Sequence, residues 1–295
     1  MNGKRWFSEA NITKFLFIAP AFLIVALFMI CPALLGFYYS LTDWNGITKQ
    51  IDFIGLRNFL EMFQDRVFYI ALKNSLIYMV VVVMIQHIIS LALAVLIERG
   101  VKGRSFYTAI LFIPCLLSSI VIGLVFSFIL SPINGSLNTL LQTLKFRTFD
   151  WLGDPKLALY AIIATSIWQY IGYSMVIYIA GLQNVSNELI EAGEIDGANS
   201  WQKFCFIEFP GIAPAFTINT VLSVIGSLKA FEIVYAMTGG GPGNATEIIA
   251  TYVYNIGFTS SRMGYGTAVS LILFILISLI SFLQVKVLKA REAEG

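Results

Sequence analysis

Six apolar stretches constrain this chain more than anything else in it. They cover residues 15–41, 75–97, 106–130, 157–182, 211–234 and 267–285. A helix needs about 20 mainly apolar residues to cross the hydrocarbon core of a bilayer. In lipid every backbone N–H and C=O must find a partner inside the protein, and these runs are far too long for barrel strands, so they are expected to be helices. The stretch at 211–234 is the least clean, because Lys229 and Glu232 lie near its far end. Pro20 and Pro32 are expected to kink the first. Residues 15–39 carry no charge, a run well beyond the about 7–15 residues of a secretory signal, and no small-x-small cleavage site follows. The first run is therefore expected to be a retained span.

Composition excludes several functions. The chain of 295 residues is 58% hydrophobic and 12% charged, whereas a soluble domain carries roughly 25% charged residues. A soluble enzyme of ordinary composition and a disordered chain are ruled out. Lys plus Arg number 19 against 17 for Asp plus Glu, so no strong field exists to recruit nucleic acid. Cys31, Cys115 and Cys205 form no disulfide framework or metal-ligand spacing, and they read as small hydrophobes. His87 is the single histidine. No catalytic or metal-ligating set is expected.

Topology follows from the basic residues flanking the spans. Both termini and the loops after spans two and four share one side. That side carries Lys4, Arg5, Lys14, Arg99, Lys102, Arg104, Lys203, Lys286, Lys289 and Arg291. The opposite side carries Lys49, Arg57, Arg66, Lys73, Lys145, Arg147, Lys156 and Arg262. Three basic residues crowd the turn at 98–105, which places both termini in the cytoplasm. The expected division is a cytoplasmic N-terminus at 1–14, a six-span domain at 15–288 and a cytoplasmic C-terminus at 289–295. Trp44 and Trp151 on the outer side, and Trp6 on the inner side, read as interfacial anchors. The long outer loop at 42–73 holds Phe59, Met62, Phe63 and Phe68, and is expected to lay a short amphipathic helix on the interface.

The connection after span four, residues 183–209, is long and polar for so apolar a chain. Loops of this length usually carry function. Glu188, Glu191, Glu194, Asp196 and Glu208 gather here around Lys203. Anionic headgroups would repel such a cluster, so a protein partner fits better than lipid. Ser186 is placed to cap a helix with Glu188 in its first turn, and Gly197 to break it. Asn199 and Gln202 have capping-box spacing for a second helix, whose Trp201, Phe204, Cys205 and Glu208 recur at i, i+3, i+4 and i+7. Pro210 then starts span five. The competing reading is a merely solvated helical connector.

The segment EAGEIDGANSWQKFCFIEFP, residues 191–210, resembles the EAA motif of binding-protein-dependent ABC importer permeases. Glu191, Ala192, Gly197, Ile207 and Pro210 fall at the required spacing, while Gly193 and Phe209 depart from the pattern. A helical glycine costs up to about 1 kcal/mol relative to alanine, so Gly193 is expected to loosen the first helical piece. The stretch FEIVYAMTGGGPGNATEIIATYVYNIGF, residues 231–258, is similar to permeases of the carbohydrate-uptake class, of maltose and glycerol-phosphate type. So is the Leu41–Asp43–Trp44 element after span one. Gly239, Gly240, Gly241, Pro242 and Gly243 force a turn. They lack the pattern of a nucleotide-binding P-loop.

The resemblance implies an all-α integral membrane protein of the type I ABC importer permease fold, with a cytoplasmic coupling helix. It implies a heterodimer with a second permease, two cytoplasmic ATPase subunits that bind the ATP and Mg, and an extracytoplasmic solute-binding protein that delivers a sugar-class solute. The chain itself would hydrolyse nothing and bind no cofactor. The residues expected to form the ATPase-coupling element are Glu191, Ala192, Gly193, Asp196, Gly197, Ala198, Phe204, Ile207 and Pro210.

Polar groups within the spans are candidates for the substrate pathway. Gln169 and Tyr173 share a face of span four with Thr165, and Trp168 and Tyr170 lie beside them. Asn219, Ser223 and Ser227 form a ladder in span five. Planar polar groups with aromatic faces suit a sugar, but interhelical hydrogen bonding uses the same residue types, and both readings stand. Lys229 and Glu232, at i and i+3, are placed to pair on one helix. Gln86 and His87 read as packing contacts. The alternative is an ion-coupled secondary transporter, which would use midplane carboxylates and often inverted repeats; the spans show neither. An intramembrane enzyme would need a catalytic set that the lone His87 does not supply.

Overall fold

The structure, a computed structural model, describes residues 9–292, with side chains from 16 to 289. Lys4, Arg5, Trp6 and most of the terminal segments expected at 1–14 and 289–295 lie outside what is described. Helices follow one another along the chain: α1 Glu9–Val25, α2 Cys31–Ser40, α3 Arg57–Met62, α4 Arg66–Glu98, α5 Arg104–Leu116, α6 Ser119–Ile129, α7 Ser136–Thr143 and α8 Ala158–Gln183. Then come α9 Asn187–Ile195, α10 Ser200–Lys203, α11 Phe209–Gly211, α12 Ala213–Leu228, α13 Glu232–Thr238, α14 Ile249–Tyr254 and α15 Met263–Glu292. No strand occurs among the described residues, only an isolated bridge between Thr42 and Phe53.

Among the described residues four helical stretches are long and apolar enough to cross a membrane: Leu16–Ser40, Arg66–Glu98, Ala158–Gln183 and Met263–Lys289. The expected third and fifth spans are bent pairs. α5 and α6 meet at 97°, and the helix Ser200–Gly211 meets α12 at 69°. Span five does not begin at Pro210: the chain stays helical through it and turns at Ile212, with Pro214 in the first turn of α12. Two π-helical turns, at Ala26–Ile30 and Phe204–Glu208, each sit two residues before a proline, Pro32 and Pro210. A proline ring collides with the carbonyl four residues back, and the wider turn moves that carbonyl aside.

The chain divides into two compact units. The larger comprises residues 65–252 and 272–295. Its core joins Tyr78 and Val82 of α4 to Ile162, Ile163 and Ile167 of α8, with Ile122 of α6 and Ile233, Val234 and Met237 of α13. A second cluster, nearer the α8–α9 connection, joins Ala94 and Ile97 to Met175, Tyr178, Val185 and Ile212. Polar side chains cross-link these helices. Gln86 donates to Ser174 Oγ at 2.6 Å, His87 bonds the Tyr178 hydroxyl, and Asn219 donates to the Ser174 carbonyl at 3.2 Å. Helix α8 touches α5 closely at Gly172, where a Cβ would run into the backbone of Leu111.

The break between α5 and α6 leaves backbone groups that a bilayer cannot satisfy. Gln169, fully buried, supplies the bonds: its amide donates to the Leu117 carbonyl at 3.2 Å and to Ser119 Oγ at 3.1 Å. Gln169→Leu should therefore lower stability by about 1–3 kcal/mol, the cost of stranding buried polar groups. An unchanged melting temperature of the detergent-purified protein would contradict this.

The segment after the glycine turn is buried rather than looped into solvent. Gly239 has φ +60 and closes α13, and Thr246, Glu247, Ile248 and Ile249 are all buried. Asn74 donates to the carbonyls of Ala245 at 3.1 Å and Glu247 at 2.9 Å, and Ile249 N–H donates to Ser75 Oγ at 2.9 Å. Helix α4 starts at Arg66, well before the apolar run at 75–97, because Asp65 caps it by accepting from Val67 N–H at 2.8 Å. Phe68 thus belongs to α4, and the amphipathic helix expected in the outer loop is confined to α3. Trp151 bonds Asn138 of α7 through its indole N–H at 3.1 Å and packs against the core, so it is more than a lipid anchor.

The smaller unit comprises residues 1–64 and 253–271. Trp44 stacks on Tyr39 with ring centroids 4.2 Å apart and donates to the Thr48 carbonyl at 3.0 Å. Arg262 grips both carboxylate oxygens of Glu61 at 2.7 Å and lies over the Tyr265 ring.

Candidate functional site

Helix α12 has different neighbours at its two ends. Its 16 residues rise 1.5 Å each, which makes it about 24 Å long. Its first turns continue from a helical elbow built by residues 187–211. Its last turns line a cavity of about 470 Å³.

The elbow forms as local rules require. α9 carries Glu188 in its first turn, where a carboxylate complements the helix dipole. Ser186 occupies the N-cap position but makes no side-chain cap bond. Gly197 takes φ +80, a left-handed conformation that favours glycine, and reverses the chain. Asn199 and Gln202 form a complete capping box at the start of α10. The two pieces are then fastened to each other and to α4. Lys203 bonds Glu194 at 2.5 Å, and Arg99 reaches Glu208 at 3.4 Å and the Ser200 carbonyl at 3.2 Å.

Two expectations for the elbow change. Gly193 does not simply loosen α9: a Cβ there would stand 2.7 Å from Ile207 Cδ1, so the missing side chain makes room for the second piece to pack. The expected stripe of Trp201, Phe204, Cys205 and Glu208 is only partly kept: Phe204, Cys205 and Glu208 are half-buried. The π turn at 204–208 resets the phase, Ile207 packs inward with Ile190, and Trp201 stays 71% exposed. The five acidic residues also divide. Glu194 and Glu208 are paired within the chain, whereas Glu188, Glu191 and Asp196 are exposed without an ion pair among the described residues. Glu188, Glu191, Ala192 and Ile195 follow at i, i+3, i+4 and i+7, the spacing of one helix face, and Ile195 is 87% exposed. Ala198 is half-buried beyond the glycine, and Pro210 is exposed within the outgoing helix.

The cavity draws on four spans. α12 presents Ser223, Gly226 and Ser227; α8 presents Ser166, Tyr170 and Tyr173; α4 presents Tyr78 and Gln86; the α5–α6 break presents Cys115 and Ser119. Hydrogen bonds hold its wall: Tyr78 to Ser166, and Ser119 to the Tyr170 hydroxyl at 3.0 Å. Lys229 and Glu232 also line it, and they do not share a helix. α12 ends at Leu228, Lys229 is its C-cap, and α13 begins at Glu232. No ion pair joins the two among the described residues, so each charge faces the cavity by itself.

Of the candidate pathway residues, Tyr173, Ser223, Ser227, Lys229 and Glu232 are brought together here. Gln169 and Asn219 are not: both are fully buried and donate their amide N–H groups to helix–helix bonds. Trp168 turns the other way, onto Phe126. Tyr78, Ser166, Gly226 and Phe231 line the cavity although no sequence signal singles them out. On α8 the lining stripe is 166, 170 and 173, one step around the helix from the stripe 165, 169 and 173. Both contain Tyr173, and periodicity cannot choose between them. Among the described residues no group of three or more His, Cys, Asp or Glu could hold a metal ion.

Known proteins share this architecture. The family described as binding-protein-dependent transport system inner membrane component matches residues 88–293. A probable starch degradation products transport system permease protein, AmyD of Thermoanaerobacterium thermosulfurigenes, is 35% identical over 100% of both chains. The multiple sugar-binding transport system permease protein MsmF of Streptococcus mutans is 32% identical over 94% of this chain and 95% of its own. Among solved structures, a chain of a bacterial ABC transporter involved in the import of the acidic polysaccharide alginate superposes with a TM-score of 0.85 over 96% of each chain, at 22% identity. The fold is thus that of an ABC importer permease. On the family match and on relatives at this identity over their whole length, the chain belongs to the inner membrane components of binding-protein-dependent transport systems.

Proposed function

We propose that this chain is the permease subunit of a sugar-class ABC importer and that the cavity at the end of α12 is part of its translocation pathway. The observation that carries the reading is mechanical: one helix joins an exposed acidic elbow to the wall of a cavity lined by serines and tyrosines. The names of the relatives, which speak of starch degradation products and multiple sugars, support a sugar or sugar-like solute. Four serines and three tyrosines line the cavity. They suit such a solute, the hydroxyls for its hydroxyls and the rings for its C–H faces.

Six spans follow when each bent pair counts as one crossing. The charge bias then puts both termini and the elbow in the cytoplasm. The elbow is the coupling helix: two ATPase subunits, binding ATP and Mg, grip its outward face through Glu191, Ala192, Asp196 and Ala198. Gly193, Gly197, Phe204, Ile207 and Pro210 give it shape. The chain itself hydrolyses nothing. A second permease subunit completes the pathway across the bilayer. A solute-binding protein on the outer side delivers the cargo, as in the solved alginate transporter in complex with alginate pentasaccharide-bound periplasmic protein.

Gly226 provides the test. It lines the cavity, and a Cβ added there meets nothing within 4 Å. Gly226→Leu should fill the pathway without straining the fold, and it adds helix propensity. The variant complex should assemble in wild-type yield while uptake in proteoliposomes falls at least tenfold. Wild-type uptake by a correctly assembled Gly226→Leu complex would remove this cavity from the pathway.

A further inference from the structure

A second cavity, of about 450 Å³, opens between α5 and the ends of α4 and α8 that lie beside the turn at 98–105. Its lining changes character along its length in the same direction on two helices. On α5, Arg104 and Ser105 stand at the mouth, Thr108 and Ala109 one turn deeper, and Phe112 a turn deeper again. On α8, Gln183 stands at the mouth, with Ile179 and Val176 below it. From Arg104 to Phe112 the helix rises about 12 Å. A polar mouth, where Glu98 stands beside Arg104, over an apolar shaft has the profile of a phospholipid.

The charges at the mouth set the headgroup. The turn carries Arg99, Lys102 and Arg104 against one acid, Glu98. Arg99 is committed to the elbow through Glu208 and the Ser200 carbonyl. Glu98 accepts from Gln183 at 2.9 Å and stands 3.9 Å from Arg104. Lys102 is exposed and has no ion pair among the described residues, and the Arg104 side chain is 60% exposed. Lys102, beside the groove, is thus left without an ion pair among the described residues, and Arg104 is held only by a long 3.9 Å pair to Glu98, itself shared with Gln183, so the turn keeps an excess of positive charge at the headgroup level. Basic pockets between spanning helices recruit anionic headgroups, each Lys or Arg near the surface adding to the attraction.

We infer that this groove binds one anionic phospholipid, its headgroup held by Lys102 and Arg104 and an acyl chain lying along Ala109, Phe112, Val176 and Ile179. The site does not rest on the transport reading, since it requires only that α5 and α8 lie in a bilayer. It adjoins the elbow through Arg99, so lipid composition would bear on the part of the chain that a cytosolic partner grips.

The test uses the full-length chain, purified with its associated subunits and placed in nanodiscs. The probes are phosphatidylglycerol and phosphatidylcholine carrying a diazirine in the acyl chain. With wild type, phosphatidylglycerol should label the peptides containing residues 109–112 and 176–179 at least fivefold more than phosphatidylcholine does. Lys102→Gln and Arg104→Gln should each lower that labelling about fivefold, and Arg104→Lys should restore most of it. Ala109→Trp should remove labelling by both lipids from these peptides. Labelling of residues 272–285 of α15 serves as the reference for correct insertion. Equal labelling by the two lipids, or unchanged labelling in the Lys102→Gln/Arg104→Gln variant, would overturn the proposal. So would an unlabelled groove in wild type, which would mean that a helix of another subunit fills it. None of these outcomes would touch the assignment of the chain as a permease.

Discussion

Gly172→Ala should cost this protein more stability than alanine at any other described helical glycine. The Cβ would fall onto the Leu111 carbonyl, with Phe112 N–H close behind, and both are backbone atoms of α5. A side chain in the way can rotate, but a helix backbone can only retreat. The two helices must then separate along their crossing, and small residues are what allow such crossings in membranes. Overpacking a tight contact costs about 1–3 kcal/mol, and the rigid neighbour puts Gly172→Ala at the upper end. The damage should spread to the cavity, because α5 carries Cys115 into its wall and the Gln169 brace to Leu117 depends on the same crossing. The check is thermal denaturation of the purified protein alongside Gly226→Ala. The latter adds the same methyl where nothing lies within 4 Å, and helix propensity favours alanine over glycine in both. Gly226→Ala should match or exceed wild type while Gly172→Ala falls several degrees below it. Equal melting temperatures would mean that α5 and α8 do not meet at this glycine.

Much of this is legible in the sequence, for physical reasons that also mark where reading stops. The six apolar runs reveal helices because lipid leaves the backbone no other choice. The capping box at Asn199 and the reversal at Gly197 are local, and local chemistry is visible in a string of residues. What depends on a neighbour is not. Nothing in the run at 106–130 shows a 97° bend, since Pro114 is compatible with a mild kink, and the brace comes from Gln169, far along the chain. The break between Lys229 and Glu232 is hidden for the same reason. Gly193 reads as a weak point until Ile207 is seen above it. The polar residues of α8 stand out as functional candidates, but the face turned to the cavity and the face turned to α5 are adjacent stripes. Only packing decides that Gln169 serves structure while Tyr170 and Tyr173 serve the cavity.

Glu191→Lys should separate assembly from coupling. The two neighbouring acids that could be confused with it, Glu194 and Glu208, already hold the elbow together through Lys203 and Arg99. Glu191 holds nothing within the chain: it is exposed and unpaired among the described residues, on the same outward stripe as Ala192 and Ile195. Its reversal should therefore leave stability within about 0.5 kcal/mol of wild type, as for other surface substitutions away from special features. The force path is what changes. A partner that grips this stripe meets a cation where it expects a carboxylate, and like charges placed face to face at an interface cost several kcal/mol. α12 can then no longer be driven from the elbow, although the cavity at its other end is intact. The expected result is a complex of wild-type melting temperature whose ATPase activity no longer responds to the loaded binding protein, with uptake in proteoliposomes reduced at least a hundredfold. Glu194→Lys makes the informative contrast, because it faces Lys203 with a like charge and should lower the melting temperature as well as transport. If Glu191→Lys vesicles still accumulate solute in step with ATP hydrolysis, the acidic face of the elbow is not the handle by which the motor moves this chain, and the grip must lie on Trp201 and the opposite side.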